Sequence, residues 1–158
     1  MRTKNQTITL VFFKTYLAVI KNSIGTNMFR TFYARKGSET TDVLEKGNLS
    51  CAFYVSSLLL LFKLVKSPHL TVSGLVQDLK TCGWKATKKP NVGDILVWER
   101  VALKGGESHK HVGFYIGNGK AISNNYKKGH PVVHSWNFNG KRKVESIFSH
   151  KKLHKNHF

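Results

Sequence analysis

The chain has 158 residues, 41% of them hydrophobic, including ten Phe, five Tyr and three Trp, which suits one globular domain with a hydrophobic core and excludes a disordered chain. Its 26 Lys and Arg against eight Asp and Glu give a formal net charge of +18 at pH 7. Such a positive charge would attract anionic partners.

We interpret the charge as a solvated, generally basic surface, with binding to an anionic polymer or a membrane surface as the alternative. Nucleic acid is not favoured, because no run of basic residues alternates with aromatic ones. The only cysteines are Cys51 and Cys82, so the sequence has neither a disulfide framework nor a zinc-ribbon spacing. A single bridge between the two stays open, and it would consume Cys51 as a nucleophile.

Residues 1–34 are predicted to form an N-terminal helical segment, with one amphipathic helix followed by a short helix over 28–34. We expect the apolar face of the first helix to pack on the core of the domain, with attachment to a membrane surface as the alternative. That face comprises Ile8, Phe12, Tyr16, Val19 and Ile20, opposite Lys14, Thr15, Lys21 and Asn22.

The same segment is a weak candidate for an export signal. Lys14 interrupts its apolar stretch, and Ser23-Ile24-Gly25 is a poor cleavage site. Localisation therefore stays open between the cell envelope, secretion and the cytoplasm.

Residues 35–140 are predicted to form the main domain. Residues 35–50 read as a loop, and the apolar run over 51–65 predicts a buried helix that Asn48 or Ser50 could cap. A further helix is predicted over 72–82, because Thr71 precedes it and Gly83 follows it.

After Gly83 the pattern changes to short β-branched and aromatic segments, which predict strands over 94–99, 111–116, 120–123 and 132–136. Asn118-Gly119 predicts a tight hairpin between the second and third of them. Helices followed by an antiparallel sheet give an α+β fold. Residues 141–158 are predicted to be a basic, His-rich tail that forms a mobile polar end.

Cys51 lies at the predicted start of the central helix, and His111 lies at the start of a strand sixty residues later. A helix N-terminus lowers the pKa of a thiol, and its free N–H groups can stabilise an oxyanion. A distant histidine can then serve as the base. On spacing alone, a buried structural cysteine is the more ordinary explanation of Cys51.

Three blocks of sequence carry a family resemblance. Residues 50–55 (SCAFYV), 93–98 (GDILVW) and 111–119 (HVGFYIGNG) resemble the patterns DCSGFV, GDLVFF and HVGIYIGN of the NlpC-type cell-wall cysteine peptidases, in the same order. The similarity covers roughly residues 48–124. It implies a papain-like NlpC-type fold, with N-terminal helices packed on a small antiparallel β-sheet.

The resemblance implies that Cys51 is the nucleophile and His111 the base. The third polar residue of the family, usually His, maps onto Ser123, twelve positions after His111. Asn124 is adjacent and has suitable chemistry, although in a regular strand it would face the other way. His134, on the following strand, is a further choice. All three stay open.

The family has Asp, Ser and Gly where this chain has Ser50, Ala52 and Phe53, so we expect the bulk of Phe53 close to the nucleophile. The resemblance implies hydrolysis of an amide or peptide bond, with peptidoglycan peptides as the substrate. The alternative is an inactive member of the same fold that acts as a basic binding protein for cell wall, membrane surface or nucleic acid.

No cofactor and no metal are expected. His109 and His111 share one strand face, and with Cys51 they could form a metal site, but no other ligand spacing supports one. Asp94 is expected to cap a turn. The sequence leaves the oligomeric state open.

Overall fold

The computed structural model describes residues 6–102 and 106–155. Over those residues the fold is mixed α+β, with three α-helices and two antiparallel sheets. The helices are α1 (Phe12–Asn22), α2 (Cys51–Leu61) and α3 (Val72–Thr81). The strands are β1 (Tyr33–Lys36), β2 (Glu39–Asp42), β3 (Lys85–Ala86), β4 (Ile95–Ala102), β5 (Ser108–Gly117), β6 (Lys120–Asn125), β7 (His130–Ser135) and β8 (Val144–Ser149).

The larger sheet has six strands in the order β3-β8-β4-β5-β6-β7, and β1 and β2 form a separate hairpin. The main hydrophobic core lies where the three helices pack on one face of the sheet. A second, smaller cluster covers the opposite face, with Leu96, Trp98, Ala121 and Ile147 at its centre. Both faces of the central strands are therefore removed from water.

Helix α1 packs on the core, as its apolar face predicts. Tyr16 and Ile20 are fully buried, and the Tyr16 hydroxyl donates a 2.8 Å hydrogen bond to the carbonyl of Gly93. Ile8 lies before the helix and is exposed. Among the described residues, every helix is too short or too polar to cross a bilayer.

Helix α2 begins at Cys51 as predicted but ends at Leu61, four residues early. Lys63 adopts a left-handed φ of 55°, and the N–H of Leu64 donates to the carbonyl of Leu59. This is a Schellman ending, which glycine usually provides, so a lysine there carries no sequence signal. The predicted cap is also absent, because Ser50 has helical φ and ψ and its side chain makes no capping bond.

Helix α3 is confirmed. The Thr71 hydroxyl accepts a 3.1 Å hydrogen bond from the N–H of Gly74, and Gly83 follows the helix with φ of 90°. The hairpin at Asn118-Gly119 is also confirmed, since it joins β5 to β6 with both residues at positive φ.

The predicted helix over 28–34 and loop over 35–50 are wrong in part, because β1 and β2 form a hairpin there. Nearly all of its residues are exposed, so it lacks the apolar alternation that marks a half-buried strand. Asp42 then anchors the next turn, since its carboxylate accepts hydrogen bonds from three backbone N–H groups, which lower its pKa.

The predicted tail differs from the structure over residues 144–149, which form strand β8 between β3 and β4. Ile147 and Phe148 are buried, and the backbone pairs with both neighbouring strands. Residues 156–158 of that predicted tail, and residues 1–5 of the N-terminal segment, lie outside the described residues.

The loop before α2 is held against the β6–β7 turn by two glycines. A Cβ atom on Gly47 would lie 2.5 Å from the Cα of Gly129, and both residues have positive φ. The Gly47 carbonyl also accepts a 2.7 Å hydrogen bond from the buried amide of Asn124. Because Cys51 follows this loop directly, the contact helps to place the start of α2.

We predict that Gly47→Ala lowers the free energy of unfolding by about 2–4 kcal/mol, because its methyl group would overlap the backbone of Gly129. Gly37→Ala is the matched control. Gly37 also has positive φ but meets no atom within 4 Å, so it should lose only about 1–2 kcal/mol. Urea denaturation measures both, and equal losses would contradict the close approach.

Candidate active site

A cleft of about 530 Å³ lies between the start of α2, the start of α3 and the strands β4 and β5. Cys51 and His111, the predicted nucleophile and base, both line it. The apolar side chains of Leu70 and Val72 line its α3 side. The fold therefore brings the two residues into one pocket.

Cys51 is the first residue of α2, and α2 packs across β5 and β6. The backbone N–H groups of Cys51 and Ala52 at the start of the helix, and that of Val112 on β5, approach the sulfur and favour its thiolate. Val112 is the neighbour of His111 in the chain, so the thiol lies against the strand that carries the base. The first N–H groups of a helix have no intrahelical acceptor and can therefore serve an oxyanion.

Phe53 does not obstruct the nucleophile, contrary to expectation. Its ring packs against Phe29 and Phe32, with centroid distances of 6.2 and 5.3 Å. It is absent from the residues that line the cleft. Ser50 is fully buried, and its hydroxyl has no hydrogen-bond partner among the described residues.

A chain of hydrogen bonds runs from His111 across three strands. The Nε2 atom of His111 lies 2.8 Å from the Ser123 hydroxyl, which lies 2.7 Å from Nε2 of His134. The Nδ1 atom of His134 lies 2.7 Å from the carbonyl oxygen of Ser135. We call this chain the His-Ser-His relay.

The direction of the relay follows from its last member. A carbonyl oxygen can only accept, so Nδ1 of His134 carries the proton and Nε2 of the neutral ring accepts from Ser123. The Ser123 hydroxyl, having donated its proton, then accepts from Nε2–H of His111. In the neutral ring of His111 this leaves Nδ1 without a proton, as a general base requires.

Packing holds the relay in place. Gly113 pairs with Ser123, and a Cβ atom on Gly113 would lie 2.7 Å from the Ser123 Cβ. The buried Trp98 ring contacts both imidazoles, with centroids 5.3 Å from His111 and 5.5 Å from His134. Because a Cβ atom at position 113 would overlap Ser123, only glycine there lets β5 and β6 approach closely enough for His111 to reach Ser123.

The structure separates the three choices for the third residue. Ser123 contacts His111 directly, and His134 acts through Ser123. Asn124 alternates to the other face of the regular strand β6, where it donates to the carbonyl of Gly47 instead. Asn124 still lines the cleft, but it is not part of the relay.

Burial keeps the pair neutral. It raises the pKa of Cys51 to about 11, against the lowering effects of nearby N–H groups and of Arg142. It lowers the pKa of His111 to about 3, and the positive charge of Arg142 acts in the same direction. The lowered thiol pKa expected from the helix N-terminus is therefore outweighed by desolvation in the free protein.

Arg142 is the site residue that sequence reasoning missed, because it was assigned to the tail. Its Nε donates to the carbonyl of Glu99 at 3.0 Å, and its Nη2 donates to the carbonyl of His109 at 2.7 Å. It is half-buried and lines the cleft with Cys51. The apolar residues within 144–149 could have indicated a strand. A strand there pairs with β4 and places Arg142, which precedes it, beside β4.

The remaining candidates have other partners. His109 lines the cleft, and its Nε2 lies 3.3 Å from Glu107. Among the described residues, no three His, Cys, Asp or Glu side chains are grouped to hold a metal ion. Cys82 is a free thiol that donates to Asp78, and Asp94 caps its turn as predicted by accepting from the N–H of Asn91.

No protein-family model matches the chain, and no curated protein matches it.

We predict that His111 makes the protein less stable in acid. Unfolded His111 binds a proton near pH 6.5, whereas the folded residue stays neutral down to about pH 3, so the unfolded state binds more protons between these values. Stability should therefore fall as the pH is lowered, with His111 contributing about 2–3 kcal/mol of loss between pH 7 and 4.5.

Urea denaturation at both pH values, on the wild type and on His111→Gln, measures this contribution. The variant should lose correspondingly less free energy of unfolding on acidification. An equal loss in both proteins would show that His111 is not held neutral.

Proposed function

We propose that this protein is a cysteine hydrolase of the papain-like, NlpC type that cleaves an amide bond, with peptidoglycan peptides as the substrate. The observation that carries the proposal is the His-Ser-His relay, which leaves Nδ1 of His111 unprotonated in the cleft that Cys51 lines. The three sequence blocks and the antiparallel sheet that bears two of them support the same family.

In the proposed reaction, the sulfur of Cys51 attacks the carbonyl carbon while His111 accepts the thiol proton at Nδ1. The first N–H groups of α2 stabilise the oxyanion. The C–N bond then breaks, and His111 passes the proton to the leaving amine. Water, deprotonated by His111, hydrolyses the thioester and releases the acid and the free thiol.

Ser123 and His134 are positioning residues in this mechanism. They fix the tautomer of His111, and the Ser123 hydroxyl, which accepts from Nε2–H, keeps the ring oriented as positive charge develops on it. The final carbonyl of Ser135 belongs to the backbone, so the orientation of the relay depends on the fold rather than on a further side chain.

A second candidate is a non-catalytic binding protein on the same fold. The raised pKa of Cys51 favours it, because a thiol with a pKa of about 11 is almost fully protonated at neutral pH. The basic charge of the chain would then serve an anionic partner. The protonation behaviour of Cys51 separates the two candidates.

We predict that alkylation of Cys51 by iodoacetamide is nearly independent of pH between 5 and 8 if the pair is catalytic. Moving the thiol proton to His111 creates a thiolate paired with the imidazolium without changing the total number of bound protons, so the population of this ion pair does not change with pH. If the pair is catalytic, attraction between the two charges makes this ion pair, rather than a thiolate beside a neutral His111, the main reactive form. The rate for a free thiol instead rises about tenfold with each unit of increasing pH until the pH reaches its pKa of about 8.5.

Peptide mass spectrometry measures the rate at Cys51 separately from that at Cys82. His111→Ala should restore the steep dependence on pH. If the alkylation rate of the wild type depends steeply on pH and His111→Ala does not change that dependence, the catalytic proposal is wrong and the binding protein is favoured.

We predict that the protein releases muropeptide fragments from purified cell walls and that Cys51→Ala abolishes release. Ser123→Ala should lower the rate at least about tenfold, because His111 loses its acceptor at Nε2. Ser135→Ala is the matched control, since it keeps the backbone carbonyl that ends the relay. Chromatography of the released fragments provides the readout, and release by Cys51→Ala at the wild-type rate would overturn the assignment.

A further inference from the structure

We propose that Arg142 binds a carboxylate group of the substrate beside the bond that Cys51 attacks, so that the cleft selects amides that carry a free carboxylate. The inference rests on the proposed function for its reaction, and it adds the substrate class and the residue that recognises it.

The charged side chains that line the cleft are all basic. Among the described residues, Arg100, Lys110 and Arg142 line it, and none of the eight acidic side chains does. Lys110 is paired with Glu145, which lies outside the cleft lining. An anionic group in the cleft would therefore meet uncompensated positive charge.

Arg142 differs from the other two because it is fixed and partly desolvated. Two backbone carbonyls, those of Glu99 and His109, hold its Nε and Nη2 atoms, whereas Arg100 is exposed and donates to the carbonyl of Ser108. Holding the guanidinium in advance reduces the entropy lost when a ligand binds.

The carboxylate of Glu99 favours the charged form of Arg142, but it does so from outside the cleft. Its Oε1 atom accepts a 2.8 Å hydrogen bond from the N–H of Lys143, and Glu99 is not among the residues that line the cleft. The two bonds of Arg142 to carbonyls use two of the five N–H donors of a guanidinium. The other donors can reach a ligand.

A planar fork of donors matches a carboxylate, which it can bind through two parallel hydrogen bonds. The cationic influence of Arg142 extends to the sulfur of Cys51, where it favours the thiolate. Because Arg142 and Cys51 line the same cleft, a carboxylate bound to Arg142 would lie beside the reacting bond. The apolar side chains of Leu70 and Val72 line the α3 side of the cleft, where they can contact an uncharged part of the substrate.

Iodoacetate and iodoacetamide test the proposal at Cys51. Iodoacetate carries a carboxylate where iodoacetamide carries an uncharged amide, and both alkylate the sulfur with loss of iodide. Their rates are compared with those for N-acetylcysteine at pH 7 and about 0.15 M salt, where charges beyond about 8 Å are largely screened. We expect the ratio of iodoacetate to iodoacetamide rates at Cys51 to exceed that of the free thiol at least about tenfold.

Arg142→Ala should return this ratio to the value for the free thiol, and Arg142→Lys, which keeps the charge but lacks the fork, should fall between the two. Arg35→Ala is the matched control, because it removes the same charge from the exposed strand β1. An equal fall in Arg35→Ala would assign the effect to overall charge and overturn the proposal.

The wild type alone also decides the question if the Arg142 variants fail to fold. Propionate should slow alkylation of Cys51 by iodoacetate, whereas propionamide at the same concentration should not. A rate ratio equal to that of the free thiol, or equal effects of the two competitors, would overturn the carboxylate site. Failure of the proposed function is read separately, from the pH profile with iodoacetamide and its dependence on His111.

Discussion

The backbone carbonyl of Ser135 sets the direction of every hydrogen bond in the His-Ser-His relay. Because it can only accept, it determines which nitrogen of His134 carries the proton, and the choice passes through the hydroxyl of Ser123 to His111. A serine is able to transmit this choice since one hydroxyl both donates and accepts. In the proposed mechanism, the relay orients His111 through two side chains and a strand backbone.

Desolvation decides the protonation of the pair. The helix N-terminus and Arg142 both favour a thiolate at Cys51, yet burial disfavours either charge and leaves thiol and imidazole neutral. A mechanism of this kind forms the ion pair only as the sulfur attacks. The positive charge of Arg142 then favours the thiolate and disfavours the imidazolium, so it is better suited to a negative group of a substrate than to the base.

The sequence predicted the parts of the fold that have strong local signals. Thr71 and Gly83 bounded α3 correctly, and Asn118-Gly119 marked its hairpin. It failed where the signal was weak or of an unusual kind, as at Lys63, which ends α2 in a conformation that glycine normally adopts. The sequence did not predict the β1–β2 hairpin, because an exposed two-stranded ribbon has no buried face and therefore no alternation of apolar and polar residues.

For the site, the sequence by itself determined Cys51 at a helix start and His111 in a hairpin, because both follow from patterns a few residues long. Only the tertiary structure decided that Ser123 bonds to His111, that His134 completes the relay and that Arg142 lines the cleft. These relations depend on the register of neighbouring strands and on the insertion of β8 into the sheet. Such pairings join residues far apart in the chain, and no local pattern of residue types encodes them.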